Sequence, residues 1–287
     1  MCKYKKLLIA LDGSEASYHA LLQGIKFAKD TGAEVCAISV IPPHRELMSA
    51  FSIFGHIKDL ITKPFVKALE EAKDIAEEEN IAIKTFLEEG LPCEKIVEVA
   101  AKEECDLIIA GRRGTTSFDK ILIGSTTAKL LNISPVDMLI VPRNTRISFK
   151  RILAATDLSE HGNGAVKKAA RLAKNYGGEI SIISVIQLPP ELIIGEMEIL
   201  EMLRKEVEKG LTALKEEVEK LGLSPRLYIE KGDPHVIIVD TIKHGDYTLL
   251  AIGADKETGK KIIGSIAQKI IANSPIPILA VKNYPKD

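Results

Sequence analysis

Hydrophobic and polar positions alternate between two rhythms along this chain. Short, nearly unbroken apolar runs are each followed by longer stretches in which apolar residues return every three or four positions. The first half carries five such runs: KKLLIALD (5–12), EVCAISV (34–40), IAIKTFLEEG (81–90), DLIIAG (106–111) and VDMLIVP (136–142). A continuous apolar run flanked by turn residues is the signature of a strand covered on both faces. Between the runs the helical period predicts four helices. One is capped by Ser14 and stopped by Gly32, and one over 64–79 opens with Pro64. A third runs from Pro92 through about Glu104, and a short fourth starts at Ser125. Strands alternating with helices imply a parallel sheet with right-handed crossovers, a doubly wound α/β domain. Such sheets bind ligands at the carboxyl ends of their strands.

The pattern then repeats. YKKLLIALDGSEASYHALLQGIKFAKDTGAEVCAISVI (4–41) matches FKRILAATDLSEHGNGAVKKAARLAKNYGGEISIISVI (149–186), with Asp12 on Asp157, Ser14 on Ser159 and Val40 on Val185. EEGLPCEKIVEVA (88–100) matches EKGDPHVIIVDTI (230–242), and GSTTAKLLNISPVDMLIVP (124–142) matches GSIAQKIIANSPIPILAVK (264–282). A period this long indicates a duplicated domain rather than a solenoid. The expected domains are 1–145 and 149–287, joined through PRNTRISF (142–149).

Composition narrows the picture. A net charge of −1 gives no general attraction to nucleic acid or anionic lipid. No apolar stretch approaches the ~20 residues of a membrane span, and the opening run is too short for a signal peptide. Cys2, Cys36, Cys93 and Cys105 all lie in the first half, without C-x-x-C spacing or a histidine at ligand distance in sequence. Reduced thiols and a cytoplasmic location are the expectation.

Candidate chemistry concentrates in AGRRGTTSFDKILIGSTTAKLL (110–131). Gly111 ends a buried strand, Gly114 follows three residues later, and Gly124 precedes Ser125 at a helix start. Glycines let backbone approach a bulky ligand, and a helix N-terminus offers unpaired N–H groups at a positive dipole end. Together they make a phosphate site, to which Ser125 and Thr126 can add hydroxyls and Arg112 or Arg113 a guanidinium. Asp12 reads either as part of the helix cap or as a ribose contact.

The spacing G-x2-G-x9-G-[ST] after a strand resembles the nucleotide-binding motif of the universal stress protein family. LLIALDGSEAS, CAISVI and SPVDMLIVP are similar to that family's first strand and turn, second strand and closing strand, and the resemblance covers both copies. It implies a five-stranded parallel sheet of order 3-2-1-4-5 in each domain, helices on both faces, and a homodimer. It also implies adenosine near Asp12 and the backbone at Val40, with ribose and phosphates on Gly111, Arg112, Gly114, Gly124, Ser125 and Thr126. The candidate nucleotide site thus comprises Leu11, Asp12, Val40, Gly111, Arg112, Arg113, Gly114, Gly124, Ser125 and Thr126. Its ligand is ATP or AMP, with Mg²⁺ accompanying ATP through phosphate oxygens and Ser125.

The second copy departs from this pattern. Gly253 and Gly264–Ser265 remain, but Lys256 stands where the middle glycine would be, and eleven positions separate the outer glycines against thirteen in the first copy. A weaker second site would use Thr156, Asp157, Val185, Gly253, Gly264 and Ser265. Two readings stand: Lys256, Lys260 or Lys261 replaces the lost contacts and holds a monophosphate, or the copy is structural. No histidine falls in the glycine loop, and neither a G-x-S-x-G elbow nor a G-x4-G-K-[ST] loop occurs. A nucleotide-dependent stress-response binding module is therefore expected, with a slow ATP-hydrolysing enzyme as the alternative. The apolar cluster Met48, Phe51, Ile53 and Phe54 reads as helical packing or as a surface for a protein partner.

Overall fold

A computed structural model describes residues 3–43, 55–113, 123–188, 196–254 and 264–282. The chain divides into two compact units, Tyr4–Asn144 and Thr145–Asp287 together with Met1–Lys3.

The first unit follows the alternating pattern: β1 Lys6–Leu11, α1 Glu15–Thr31, β2 Glu34–Ile41, α2 Gly55–Glu78, β3 Ile83–Glu89, α3 Pro92–Lys102, β4 Leu107–Gly111, α4 Ser125–Ile133 and β5 Asp137–Val141. Its strands are parallel in the order β3-β2-β1-β4-β5. The second unit repeats the series: β6 Arg151–Ala155, α5 Glu160–Tyr176, β7 Glu179–Ile186, α6 Glu196–Glu219, β8 Arg226–Lys231, α7 Pro234–His244, β9 Leu249–Gly253, α8 Ser265–Asn273 and β10 Ile278–Val281. Its order is β8-β7-β6-β9-β10. Each unit is thus a doubly wound α/β sheet of order 3-2-1-4-5 with helices around it.

The reason lies in the runs themselves. β4 and β5 are buried at every position, as LIIAG and DMLIV require, whereas β3 alternates between half-buried and exposed along IKTFLEE. Ser14 caps α1 by accepting the N–H of Ser17 at 3.2 Å, and Ser159 caps α5 by accepting the N–H of Gly162 at 3.1 Å. The same helices end on Gly32 and Gly177 in the left-handed conformation.

One helix start differs from expectation. Pro64 does not open α2; it lies inside a helix that begins at Gly55. Proline removes the N–H that would reach back to the carbonyl of residue 60 and crowds that carbonyl with its ring, yet the helix runs on to Glu78. The cluster Met48, Phe51, Ile53 and Phe54 lies outside the described residues.

The two copies solve one buried position differently. In the first, the Tyr4 hydroxyl donates to Asp137 Oδ2 at 2.7 Å in the core, where Asp137 is fully buried. In the second, the matching positions hold Phe149 and Pro277, and Phe149 packs its ring 4.7 Å from that of Tyr176.

Candidate functional site

Sheet register brings the predicted residues together. The last paired rungs of the first unit are Leu11 with Ser39 and Ala10 with Ala110. Continuing the register by one residue sets Asp12 beside Val40, and Leu11 beside Gly111 with Arg112 next. All lie at the carboxyl ends of β2, β1 and β4. The Val40 side chain is buried at 4% exposure, so only its backbone can meet a ligand.

The turn after β1 is built by short polar contacts. Asp12 Oδ1 accepts the N–H of Ser14 at 3.0 Å, and the Ser17 hydroxyl donates to the Ser14 carbonyl at 2.8 Å while accepting the Asp12 N–H at 3.4 Å. Ser14, not Asp12, is the helix cap; the aspartate holds the turn through which the chain enters the helix. Gly13 sits at φ +77°, a left-handed conformation that costs a side chain dearly.

On the other side of the crevice, β4 is clasped to α4. Gly124 N–H donates to the Arg112 carbonyl at 2.9 Å, Arg112 N–H donates to the Val141 carbonyl at 3.2 Å, and Thr127 Oγ1 donates to the Gly111 carbonyl at 3.0 Å. Gly124 caps α4 at φ −57°, ψ 142° and has no side chain to offer the first amides. Ser125 is exposed and Thr126 half-buried, while Thr127 is buried. The start of this helix therefore presents amides without a side-chain cap, one hydrogen bond from the backbone of Arg112. Burial, and secondarily the charge of Arg113, lower the pKa of Arg112, so its charge is held at a cost that a nearby anion would offset. These residues fit a phosphate. Gly114 lies outside the described residues.

Gly111 has a packing role that the motif does not reveal. A Cβ there would stand 2.8 Å from the carbonyl oxygen of Ala16, so the glycine lets α1 close onto the end of β4. Gly253 does the same toward the carbonyl of His161, at 2.7 Å.

The second copy keeps the frame and loses donors. Continuing the register of β6 by one residue sets Thr156 beside Gly253, and by two sets Asp157 beside Val185, so these residues gather as their counterparts do. Ser159 N–H and Oγ both donate to Asp157 Oδ1, at 3.0 and 2.5 Å. Gly264 caps α8 without a side-chain bond, and Ser265 follows as an exposed residue. The turn carries Leu158 at φ +64° in place of Gly13. Ala254, Ile266 and Ala267 replace Arg112, Thr126 and Thr127. The buried Lys282, at the end of β10, donates to the Ala254 carbonyl at 2.8 Å, using the acceptor that Gly124 occupies in the first copy. Lys256, Lys260 and Lys261 lie outside the described residues.

Sequence reasoning missed Thr127, Ser17 and Lys282. Thr127 left one trace, a hydroxyl on an otherwise apolar position of a short helix that becomes Ala267 in the duplicate. Among the described residues no group of three or more His, Cys, Asp or Glu is placed to hold a metal ion, and no helix is long and apolar enough to cross a membrane.

Comparisons with known proteins agree with the duplication. The profile of the universal stress protein family matches residues 3–142 and again 148–282. A universal stress protein of Methanocaldococcus jannaschii is 35% identical over 141 residues, covering 49% of this chain and 83% of that protein. Universal stress protein YxiE of Bacillus subtilis is 30% identical over 149 residues, covering 48% and 99% respectively. The crystal structure of a universal stress protein from Archaeoglobus fulgidus shares the fold, with a TM-score of 0.71 at 23% identity across 100% of this chain and 99% of that one. The chain carries that family's domain twice in tandem and belongs to the universal stress protein family.

Proposed function

We propose that the first unit binds an adenine nucleotide, ATP or AMP, and that the protein acts as a nucleotide-responsive binding module in a stress response. One observation carries the reading: the uncapped start of α4 is tied by Gly124 and Thr127 to the end of β4, beside Arg112 and Arg113. The amides of Ser125 and Thr126 and the guanidinium of Arg112 would hold phosphate, while Asp12 and the Val40 backbone would hold the nucleoside. Mg²⁺ would arrive with ATP on its phosphate oxygens, with Ser125 as the protein hydroxyl nearest to hand. The domain division 1–145 and 149–287 belongs to the same proposal. The second unit, lacking counterparts of Arg112, Thr126 and Thr127, serves as a structural or weak partner.

Calorimetric titration of the full chain with ATP and with AMP tests this. One nucleotide per chain is expected, and Arg112→Ala should weaken binding by about tenfold, near 1.4 kcal/mol, with the fold unchanged by circular dichroism. Absence of binding at about 1 mM nucleotide, or equal affinity in wild type and Arg112→Ala, overturns it.

A further inference from the structure

Two thioethers stand in water on α6. Among the described residues seven large apolar side chains are exposed, and the two most exposed are both methionines of this helix, Met197 at 85% and Met202 at 61%. α2, the same element of the first copy, contains no methionine. Met138 of β5 is the contrast, fully buried and paired with Ile108 of β4. Met1 and Met48 lie outside the described residues.

The helix shows why these side chains can be so open. α6 runs over 24 residues, Glu196–Glu219, and is held by its second half, where Leu211, Leu214 and Val218 are buried. From Met197 to Gly210 no residue is buried. Charges lie along the same turns, with Glu201 paired to Lys205 at 3.1 Å within the helix. A small oxidant in bulk solvent therefore meets the sulfurs of Met197 and Met202 without any opening of the fold. It reaches Met138 only after β5 has lost its cover.

We infer that Met197 and Met202 form a reversible oxidation site, taking oxygen from a peroxide ahead of Met138 while the fold stays intact. A lone pair of the thioether sulfur attacks one oxygen of hydrogen peroxide. The S–O bond forms, the O–O bond breaks, and proton transfer between the two peroxide oxygens leaves a sulfoxide and water. Sulfur is oxidised by two electrons and the peroxide is reduced by two. The product is polar, and on this face it meets water rather than packed side chains. Oxygen addition thus changes the surface of α6 and leaves its buried stripe alone. The same exposure lets a sulfoxide reductase reach both positions, a dithiol supplying the two electrons that return the oxygen as water.

Peptide mass mapping of the full chain through a time course of hydrogen peroxide treatment is the test, with urea unfolding measured on the same samples. Met197 and Met202 should each gain one oxygen while Met138 gains none, and the urea midpoint should not move. Incubation with sulfoxide reductases of both epimer specificities and dithiothreitol should then return both peptides to their original mass. The double variant Met197→Leu with Met202→Leu should keep the wild-type urea midpoint before and after the same treatment. Oxidation of Met138 in step with Met197 and Met202, a fall in the urea midpoint when only those two carry oxygen, or sulfoxides that the reductases leave in place overturns the inference. The wild-type time course is decisive whatever the variant does.

Discussion

Gly124 N–H meets the carbonyl of Arg112 at 2.9 Å, and this single bond closes the neck of the segment 113–123. The chain leaves β4, and the same residue whose side chain is charged supplies the acceptor that brings it back to the start of α4. The amides that open α4 are therefore tied to the end of the strand.

Thr127 is the second point of that clasp. Thr127→Val keeps the shape and removes the donor to the Gly111 carbonyl. A loss of about 1–2 kcal/mol in urea unfolding is expected, together with weaker nucleotide binding in calorimetry. Unchanged stability and affinity would show that the backbone bond alone positions the helix.

Gly111→Ala is expected to destabilise the chain without any ligand present. The new methyl would stand 2.8 Å from the Ala16 carbonyl oxygen, which belongs to a helix backbone and cannot swing aside. A cost of about 1–3 kcal/mol in urea unfolding follows from overpacking. Gly253→Ala should behave alike, since its neighbour is the His161 carbonyl.

These two residues show what was legible in the sequence. Strands and helices were readable because each is specified within a short window: a continuous apolar run for β4, a serine before α1, a glycine after it. The crevice was readable because its glycines and Ser125 lie in one stretch of 22 residues. What was hidden depends on distant partners. Gly111 owes its identity partly to Ala16 and Tyr4 to Asp137, and no local pattern announces which remote element will arrive beside a given atom. Pro64 failed for the opposite reason: its local preference for a first turn was overridden by a helix already under way.

Tyr4→Phe removes a donor to a fully buried carboxylate. It should cost about 1–3 kcal/mol in urea unfolding. In the duplicate the matching positions hold Phe149 and Pro277, a pair with neither the hydroxyl nor the carboxylate. The double variant Tyr4→Phe with Asp137→Val should therefore recover part of the loss.

Acid should loosen the first unit through Glu103. Its pKa lies below the ordinary 4.5, held there chiefly by the hydrogen bond from Lys84 and then by that from Lys6, against the effect of burial. A carboxyl depressed in the folded state stabilises above its unfolded value and loses that contribution as pH falls through its folded value. Wild type should lose urea resistance between about pH 5 and about pH 3, and Glu103→Gln should flatten that limb. Parallel profiles for the two proteins would exclude the role.

The turn that follows the first strand of each half holds a lesson about ancestry. The leading half stabilises it with a hydroxyl on the helix, Ser17, accepting from Asp12. The trailing half moves the hydroxyl to the strand end, where Thr156 donates to Asn163 at 2.9 Å and accepts from Leu158, and Gly162 makes room because a Cβ there would stand 2.7 Å from that oxygen. Leu11, Ser17 and Tyr18 form one solution; Thr156, Gly162 and Asn163 form another. A threonine at the position of Leu11 would crowd the Cβ of Ser17, as a Cβ at Gly162 would crowd the Thr156 hydroxyl, so at this turn the two sets are exchangeable whole and not residue by residue.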